Sequence, residues 1–293
     1  MKTVVDKECL LKEVLEKLGQ ESSKRTLHGW LKQKRVVIDG QLARFATQKV
    51  LPGQTVIVRP KSSSIAEGVK ILYEDKELVV IDKPAALLSV ATPFQKGNDA
   101  HTLLKKRFNH SGRIFPVHRL DRDASGVMVF AYTKLAQEKL KKAFEGHTIK
   151  RIYFAIVEGV LKVKKGTWKS YLLEDEETFF VKSFSSSLKG AKEAITHFEV
   201  IFQSKKYSLL RLTLETGRKN QIRVHCADAG YPILGDKKYG GSCPFSKRLF
   251  LHAHLLGFEH PTSKKEKRFS SPLPQEFYRI VPSASLGSFL FFQ

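Results

Sequence analysis

Apolar residues recur at helical spacing at Leu10, Leu11, Val14, Leu15 and Leu18, and Gly19 follows as a stop signal. Ser22 or Ser23 can cap a second helix with Leu27, Trp30 and Leu31 on its apolar face. The other face of that helix carries Lys24, Arg25, Lys32, Lys34 and Arg35. RVVIDGQLA then reads as a strand, an Asp39-Gly40 turn and a short second strand. QTVIVRP supplies a further strand after the turn at Pro52-Gly53. Together these predict a small α/β unit over residues 1–60, and the polar stretch KSSSIAEG (61–68) predicts a linker.

The pattern changes from residue 69 on. ILYEDKELVVIDKPAALLSV gives two apolar runs around a polar turn, and residues 127–133 (VMVFAYT) read as a buried strand. KLAQEKLKKAFEG (134–146) predicts an amphipathic helix with Leu135, Leu140, Ala143 and Phe144 on its apolar side and Gly146 as its stop. RIYFAIVEGVL, AITHFEVIFQ, YSLLRLTLET and RLFLHAHLLGFEH read as strands, and NQIRVHCADAG as a short helix ending at Gly230. Strands outnumber helices and several are consecutive. The expectation is an α+β domain over residues 69–293 around a mixed, mostly antiparallel sheet. KKEKR (264–268) reads as a solvated loop, and the apolar tail SLGSFLFFQ as a segment that docks on the domain.

Composition adds a partner. Lys plus Arg number 51 against 29 acidic residues, a formal net charge of +22 in 293 residues. That excess predicts a polyanion, because each phosphate contact releases counterions. An anionic membrane is the competing partner, but no apolar run approaches the ~20 residues of a spanning helix. The start, MKTVVDKECLLKEVLEKL, lacks the apolar core of a signal peptide. Cys9, Cys226 and Cys243 are odd in number and widely spaced, which suits neither a disulfide framework nor a CxxC zinc site. The expectation is a cytoplasmic, monomeric protein that binds nucleic acid.

Candidate chemistry centres on PVHRLDRDASGVMVFA, where Asp121 sits on a loop entering a core strand. In an isolated RLDR the plain reading is a surface ion pair. Three other segments accompany it in order: KRIYFAIVEG with Tyr153 near a strand start, LETGRKNQIRVHCADAGYPILGDKKYG with Arg223, and RLFLHAHLLGFEHP. Tyr153 can equally be a core strand tyrosine, and Arg223 a solvent or ribose contact. His252, His254 and His260 lack the Cys or carboxylate that would complete a metal set. No GxxxxGK[ST] occurs, so no nucleotide cofactor site is expected, and the lack of a glycine-rich nucleotide loop argues against a methyltransferase.

Over about residues 70–282 these segments resemble the RluA-type pseudouridine synthases: YEDKELVVIDKPAALL, HRLDRDASG, KRIYFAIVEG, TGRKNQIRVH with GYPILGDKKYG, and RLFLHAHLLGF. The N-terminal unit resembles an S4 RNA-binding domain through SSKRTLHGWL, KQKRVVIDG and LPGQTVIV, a layout like that of the RluC and RluD members. Two positions depart from the usual pattern. Ala124 stands where Thr is common and Lys219-Asn220 where Thr-His is common, and neither is expected to touch the carboxylate.

The resemblance implies an isomerase that converts uridine to pseudouridine in structured RNA without metal, organic cofactor or second substrate. The implied RNA is large-subunit ribosomal RNA, with transfer RNA second. A non-catalytic RNA-binding or ribosome-assembly factor is the rival. Asp121 is implied as nucleophile or as the base that forms a glycal, and Arg223 as its buried partner. Arg119 would fill the gap left by the flipped base, and Tyr153 would stack on the base and take the C5 proton. Lys24, Arg25, Lys34 and Arg35 are implied RNA contacts of the S4-like unit.

Overall fold

The computed structural model describes residues 2–19, 24–32, 35–43, 45–58, 68–92, 97–107, 114–244, 246 and 248–282. Contacts divide the chain into two units, 1–63 and 64–293.

The first unit contains β1 (Lys2–Val4), β2 (Cys9–Leu10), α1 (Leu11–Leu18), α2 (Lys24–Lys32), β3 (Val36–Ile38), β4 (Gln41–Leu42), β5 (Lys49–Val50) and β6 (Thr55–Val58). The heptad-like spacing of α1 works as expected: Leu11, Val14 and Leu15 are buried, and the Gly19 amide returns to the Leu15 carbonyl. Asp39 and Gly40 both take positive φ, 47° and 83°, the geometry a two-residue hairpin needs to match strand twist. A four-stranded sheet in the order β1-β6-β3-β4 packs with α1 and α2 around Leu11, Leu15, Trp30, Val36 and Val56. The expected caps Ser22 and Ser23, Lys34, and the side chains of Lys24 and Arg25 lie outside the described residues, as do 61–67 of the expected linker and the tail from 283.

The second unit contains β7 (Lys70–Glu74), β8 (Leu78–Lys83), α3 (Ala100–Arg107), β9 (Phe115–Pro116), β10 (Ser125–Ala131), α4 (Lys134–Glu145), β11 (Lys150–Glu158), β12 (Lys165–Glu174), β13 (Val181–Phe184), β14 (Lys192–Gln203), β15 (Tyr207–Leu214), α5 (Gln221–Asp228), β16 (Leu251–Glu259) and β17 (Glu266–Ser270), then a 3-10 turn at Gln275–Arg279. Nine strands run in the order β13-β12-β14-β15-β11-β16-β10-β8-β7, with β17 on β16 and β9 on β10. The β10–β16 pair is parallel and the other pairs of this sheet are antiparallel, so the domain is α+β around a mixed, mostly antiparallel sheet. All seven residues of β10 are buried, as its unbroken apolar run demands. Gly126 makes the parallel pairing possible: its φ is +118°, and a β-carbon there would lie 2.1 Å from the Ala253 carbonyl oxygen.

Two expectations are corrected. Leu135 is 57% exposed; Leu140 is buried and Ala143 and Phe144 are half-buried as expected, but Ala136 and Gln137 take the place of Leu135 on the inward face, and Thr133 caps the helix through the Ala136 amide. KKEKR is a solvated loop only at Lys264 and Lys265. Residues 266–270 form edge strand β17, in which exposed Glu266, Arg268 and Ser270 alternate with half-buried Lys267 and Phe269, and its charges are the usual way an edge is kept from pairing further.

Candidate active site

The loop between β9 and β10 holds Asp121, and buried groups fix both its ends. Ser89 Oγ accepts from the Leu120 amide at 3.0 Å and donates to the Leu120 carbonyl at 2.7 Å. Lys83, fully buried at the end of β8, donates from Nζ to the carbonyls of Leu87 (2.7 Å), Pro84 (2.9 Å) and Arg122 (3.1 Å). Burial pulls its pKa down to about 7 against the opposing charges of Asp123 and Asp121. A turn follows, closed by the Ala124 amide on the Asp121 carbonyl at 3.2 Å. Beyond it, Ser125 Oγ accepts from Arg248 Nη2 at 2.7 Å and meets His252 Nδ1 at 2.9 Å. His118 accepts from the Val129 amide and stacks on Phe144, and burial pushes its pKa down to about 3.

The Asp121 carboxylate binds through one oxygen. Oδ2 accepts from Asn220 Nδ2 at 2.7 Å and Arg223 Nη1 at 3.1 Å, and Oδ1 takes no hydrogen bond among the described residues. Arg223 lies on α5, where Gln221 to Cys226 are all buried. Its Nε and Nη2 each donate to buried Asp236 at 2.7 Å. Burial alone would lower the Arg223 pKa, but the hydrogen bonds and charges of Asp236 and Asp121 outweigh it and raise the pKa. The guanidinium also lies 5.1 Å from the centre of the Tyr239 ring. A single cation thus joins two carboxylates, and the amides of Lys238 and Tyr239 complete the hydrogen bonding of Asp236.

Asn220 overturns one expectation: a residue of the departing Lys219-Asn220 pair does touch the carboxylate. It precedes α5 in the left-handed region, φ 53°, which Asn tolerates better than most residues. Its Oδ1 accepts from Tyr239 Oη at 3.1 Å and Lys238 Nζ at 3.3 Å, which orients Nδ2 toward Asp121.

Tyr153 stands on β11 opposite Leu212 and Ala253, at a register shift after Ile152. Burial pushes its pKa up to about 12; the Arg151 charge opposes this and the Asp121 charge adds to it. The phenol is therefore protonated at neutral pH. Arg119 is exposed on the Asp121 loop. In the N-terminal unit, Arg35 is half-buried with its guanidinium 5.8 Å from the centre of the Trp30 ring. His252 and His254 both approach the Ser271 carbonyl, and His260 Nε2 lies 2.8 Å from Asp75.

Sequence reasoning missed Asp236, Asn220, Lys83 and Tyr239. Lys83 carried a signal, being a lysine closing the apolar run LVVIDKP, and Asp236 follows Gly235 in a segment already dense in glycine.

Among known proteins, residues 77–228 match the family model described as RNA pseudouridylate synthase, a span that includes Asp121, Tyr153 and Arg223 and ends before Asp236. The chain is 35% identical to ribosomal large subunit pseudouridine synthase D of Nitrosomonas europaea over 293 residues, covering 92% of this chain and 83% of that one. It is 31% identical to the uncharacterized RNA pseudouridine synthase YlyB of Bacillus subtilis, covering 88% of each. Among solved structures, human RNA pseudouridylate synthase domain containing 4 superposes with a TM-score of 0.58 at 25% identity, covering 74% of this chain and 91% of that one. The chain belongs to the RNA pseudouridylate synthase family. Within it the chain is of the RluA type, an isomerase that converts uridine to pseudouridine in RNA. No helix among the described residues is long and apolar enough to cross a membrane.

Proposed function

We propose that this isomerase acts in the cytoplasm on large-subunit ribosomal RNA and that Asp121 is its catalytic carboxylate. The observation that carries the site assignment is the one-sided binding of Asp121: Oδ2 is held by Asn220 and Arg223 while Oδ1 has no partner among the described residues. The RNA assignment leans on similarity to proteins named ribosomal large subunit pseudouridine synthase D.

Pseudouridine formation breaks the N1–C1′ bond, turns the base and forms a C5–C1′ bond. The C5 proton leaves and N1 ends protonated, so nothing is gained or lost. The target base must first leave its stack. Oδ1 of Asp121 can attack C1′, giving a covalent sugar ester, or remove the C2′ proton to give a glycal and later return it. In both routes the Arg223 guanidinium balances the negative charge of the carboxylate beside phosphate-rich RNA. Arg119 fills the space the base vacates. Tyr153 packs on the base, and because its hydroxyl is protonated at rest, it can accept the C5 proton only by passing its own onward.

Residues 1–60 serve as an S4-like RNA-binding unit, joined by residues 61–68 to a catalytic domain of 69–293. Lys24, Arg25, Lys34 and Arg35 contribute its RNA contacts. The unit holds 12 Lys plus Arg against 6 Asp plus Glu, which favours a phosphate partner. Mapping pseudouridines in all stable RNAs from cells with and without the gene tests the assignment. Loss of large-subunit positions supports it, and loss confined to transfer RNA would redirect it.

A further inference from the structure

The turn between β12 and β13 exposes two adjacent aromatic rings. Phe179 is 54% exposed and Phe180 41%, the one adjacent aromatic pair among the exposed large apolar side chains of the described residues. The turn that presents them is tightly determined. The Asp175 amide donates to the Phe180 carbonyl and the Phe179 amide to the Asp175 carbonyl, each at 2.8 Å. Asp175 Oδ1 accepts from the amides of Thr178 and Glu177. Phe179 nevertheless sits at φ 57°, where a β-carbon crowds the backbone and glycine would be unstrained. A bulky apolar side chain is thus held in solvent, in a conformation that disfavours it, with no core packing to repay the strain.

The rings adjoin the candidate active site. Lys238 Nζ donates to the Phe179 carbonyl at 2.6 Å and to Asn220 Oδ1 at 3.3 Å, and Asn220 in turn holds Asp121. The same ammonium lies 4.8 Å from the centre of the Phe180 ring, and Lys219 Nζ lies 5.5 Å from that of Phe179. Lys238 feels positive neighbours: burial lowers its pKa, and Lys219 and Arg223 lower it further. Flat apolar faces beside clustered cations are complementary to a nucleobase and its phosphate.

We propose that Phe179 and Phe180 form a stacking platform for an unpaired base of the substrate RNA next to the target uridine. The proposal deepens the RNA-modifying reading given above and rests on it. Extruding a uridine leaves its neighbour with one bare face, and an aromatic ring beside the site can cover that face whatever the base. The platform adds affinity without touching the reacting atoms.

The test uses the full chain with Phe179→Gly, Phe180→Ala and Phe180→Tyr. One probe is a fluorescein-labelled 20-mer of oligouridylate, titrated at several salt concentrations. The other is [5-3H]uridine-labelled large-subunit ribosomal RNA transcript, followed by tritium release. Phe179→Gly and Phe180→Ala should weaken binding about tenfold, within the range of one lost base–aromatic stack, and raise KM with kcat nearly unchanged. Plots of log affinity against log salt should shift down in parallel, since no phosphate contact is lost. Phe180→Tyr should restore binding, and Phe179→Gly should melt at or above the wild-type temperature. Undiminished affinity and KM in both truncated variants would overturn the proposal and leave the rings to a protein surface. A Phe179→Gly protein that binds weakly and also melts early would overturn it too, making the ring a structural prop. Absence of tritium release by the wild type would count against the ribosomal substrate, whereas the oligouridylate titration still decides the platform.

Discussion

Arg223 and Asp236 form a two-point ion pair, with Nε and Nη2 each 2.7 Å from the carboxylate, while only Nη1, at 3.1 Å, reaches Asp121. Asp236 is buried completely, whereas the Asp121 side chain keeps 22% of its exposure. The cation that balances the candidate catalytic carboxylate is therefore anchored by a second acid that water does not reach. Arg223→Ala should abolish activity and destabilise the fold by about 3–5 kcal/mol, because it strands a buried charge. Adding Asp236→Asn should recover part of that loss, and adding Asp121→Asn less of it. Denaturant melts of the two double-mutant cycles compare the couplings; equal coupling for both pairs would contradict the anchor role of Asp236.

Three histidines, buried His225 and His252 and half-buried His118, predict an acid limb of stability. Burial holds His118 and His252 at about 3 and His225 at about 4, below the ordinary value of 6.5. Between those values the unfolded chain binds more protons than the folded one. The stability from their neutral forms is complete above pH 6.5 and is lost as pH falls toward 4 and 3. Each contributes at most about 1.4 kcal/mol per pH unit. Urea unfolding at pH 7.5, 6 and 5 should show this decline, and His118→Asn should flatten it by about one proton.

Tyr153→Phe should bind RNA as the wild type does and lose most turnover, since the ring remains and only the hydroxyl goes. Because burial places that hydroxyl near a pKa of 12, the wild-type rate should show no alkaline limb from Tyr153 below about pH 11. Single-turnover rates across pH check both statements. A Tyr153→Phe protein with full turnover would reduce the residue to a packing role.

Removing the N-terminal unit should cost grip more than chemistry. A chain starting at Ser64 retains the whole second unit and should fold. Its log affinity for RNA should fall less steeply with log salt, by about two to three units for three or four lost phosphate contacts at about 0.7 each. Turnover on a saturating short RNA should change little. An unchanged salt slope would mean that residues 1–63 do not contact RNA.

The elements read most easily from the sequence were those with a strong local pattern. The unbroken apolar run of β10, the spacing of α1 and the Asp39-Gly40 hairpin each express a short-range rule. β17 escaped because an edge strand bearing Lys and Glu looks like solvated chain until its partner β16 is known. Asp121 and Arg223 could be picked out only through the motifs around them, since the atoms that meet are 102 residues apart in sequence. Asn220, 99 residues from Asp121, reads in the sequence as a mere departure from pattern because nothing local betrays its contact. Lys83 was hidden for a related reason: its three partners are carbonyls, which no side-chain motif records.

The central claim is that Asp121 performs the chemistry of uridine isomerisation. Asp121→Asn keeps the shape and removes the charge. Tritium release from [5-3H]uridine-labelled large-subunit ribosomal RNA, measured under single-turnover conditions with enzyme in excess, reads that step directly. The wild type should release tritium, and Asp121→Asn should release none while binding the same RNA within about twofold, as expected for a group that acts only in the chemical step. Substantial release by the variant at undiminished affinity would contradict the assignment.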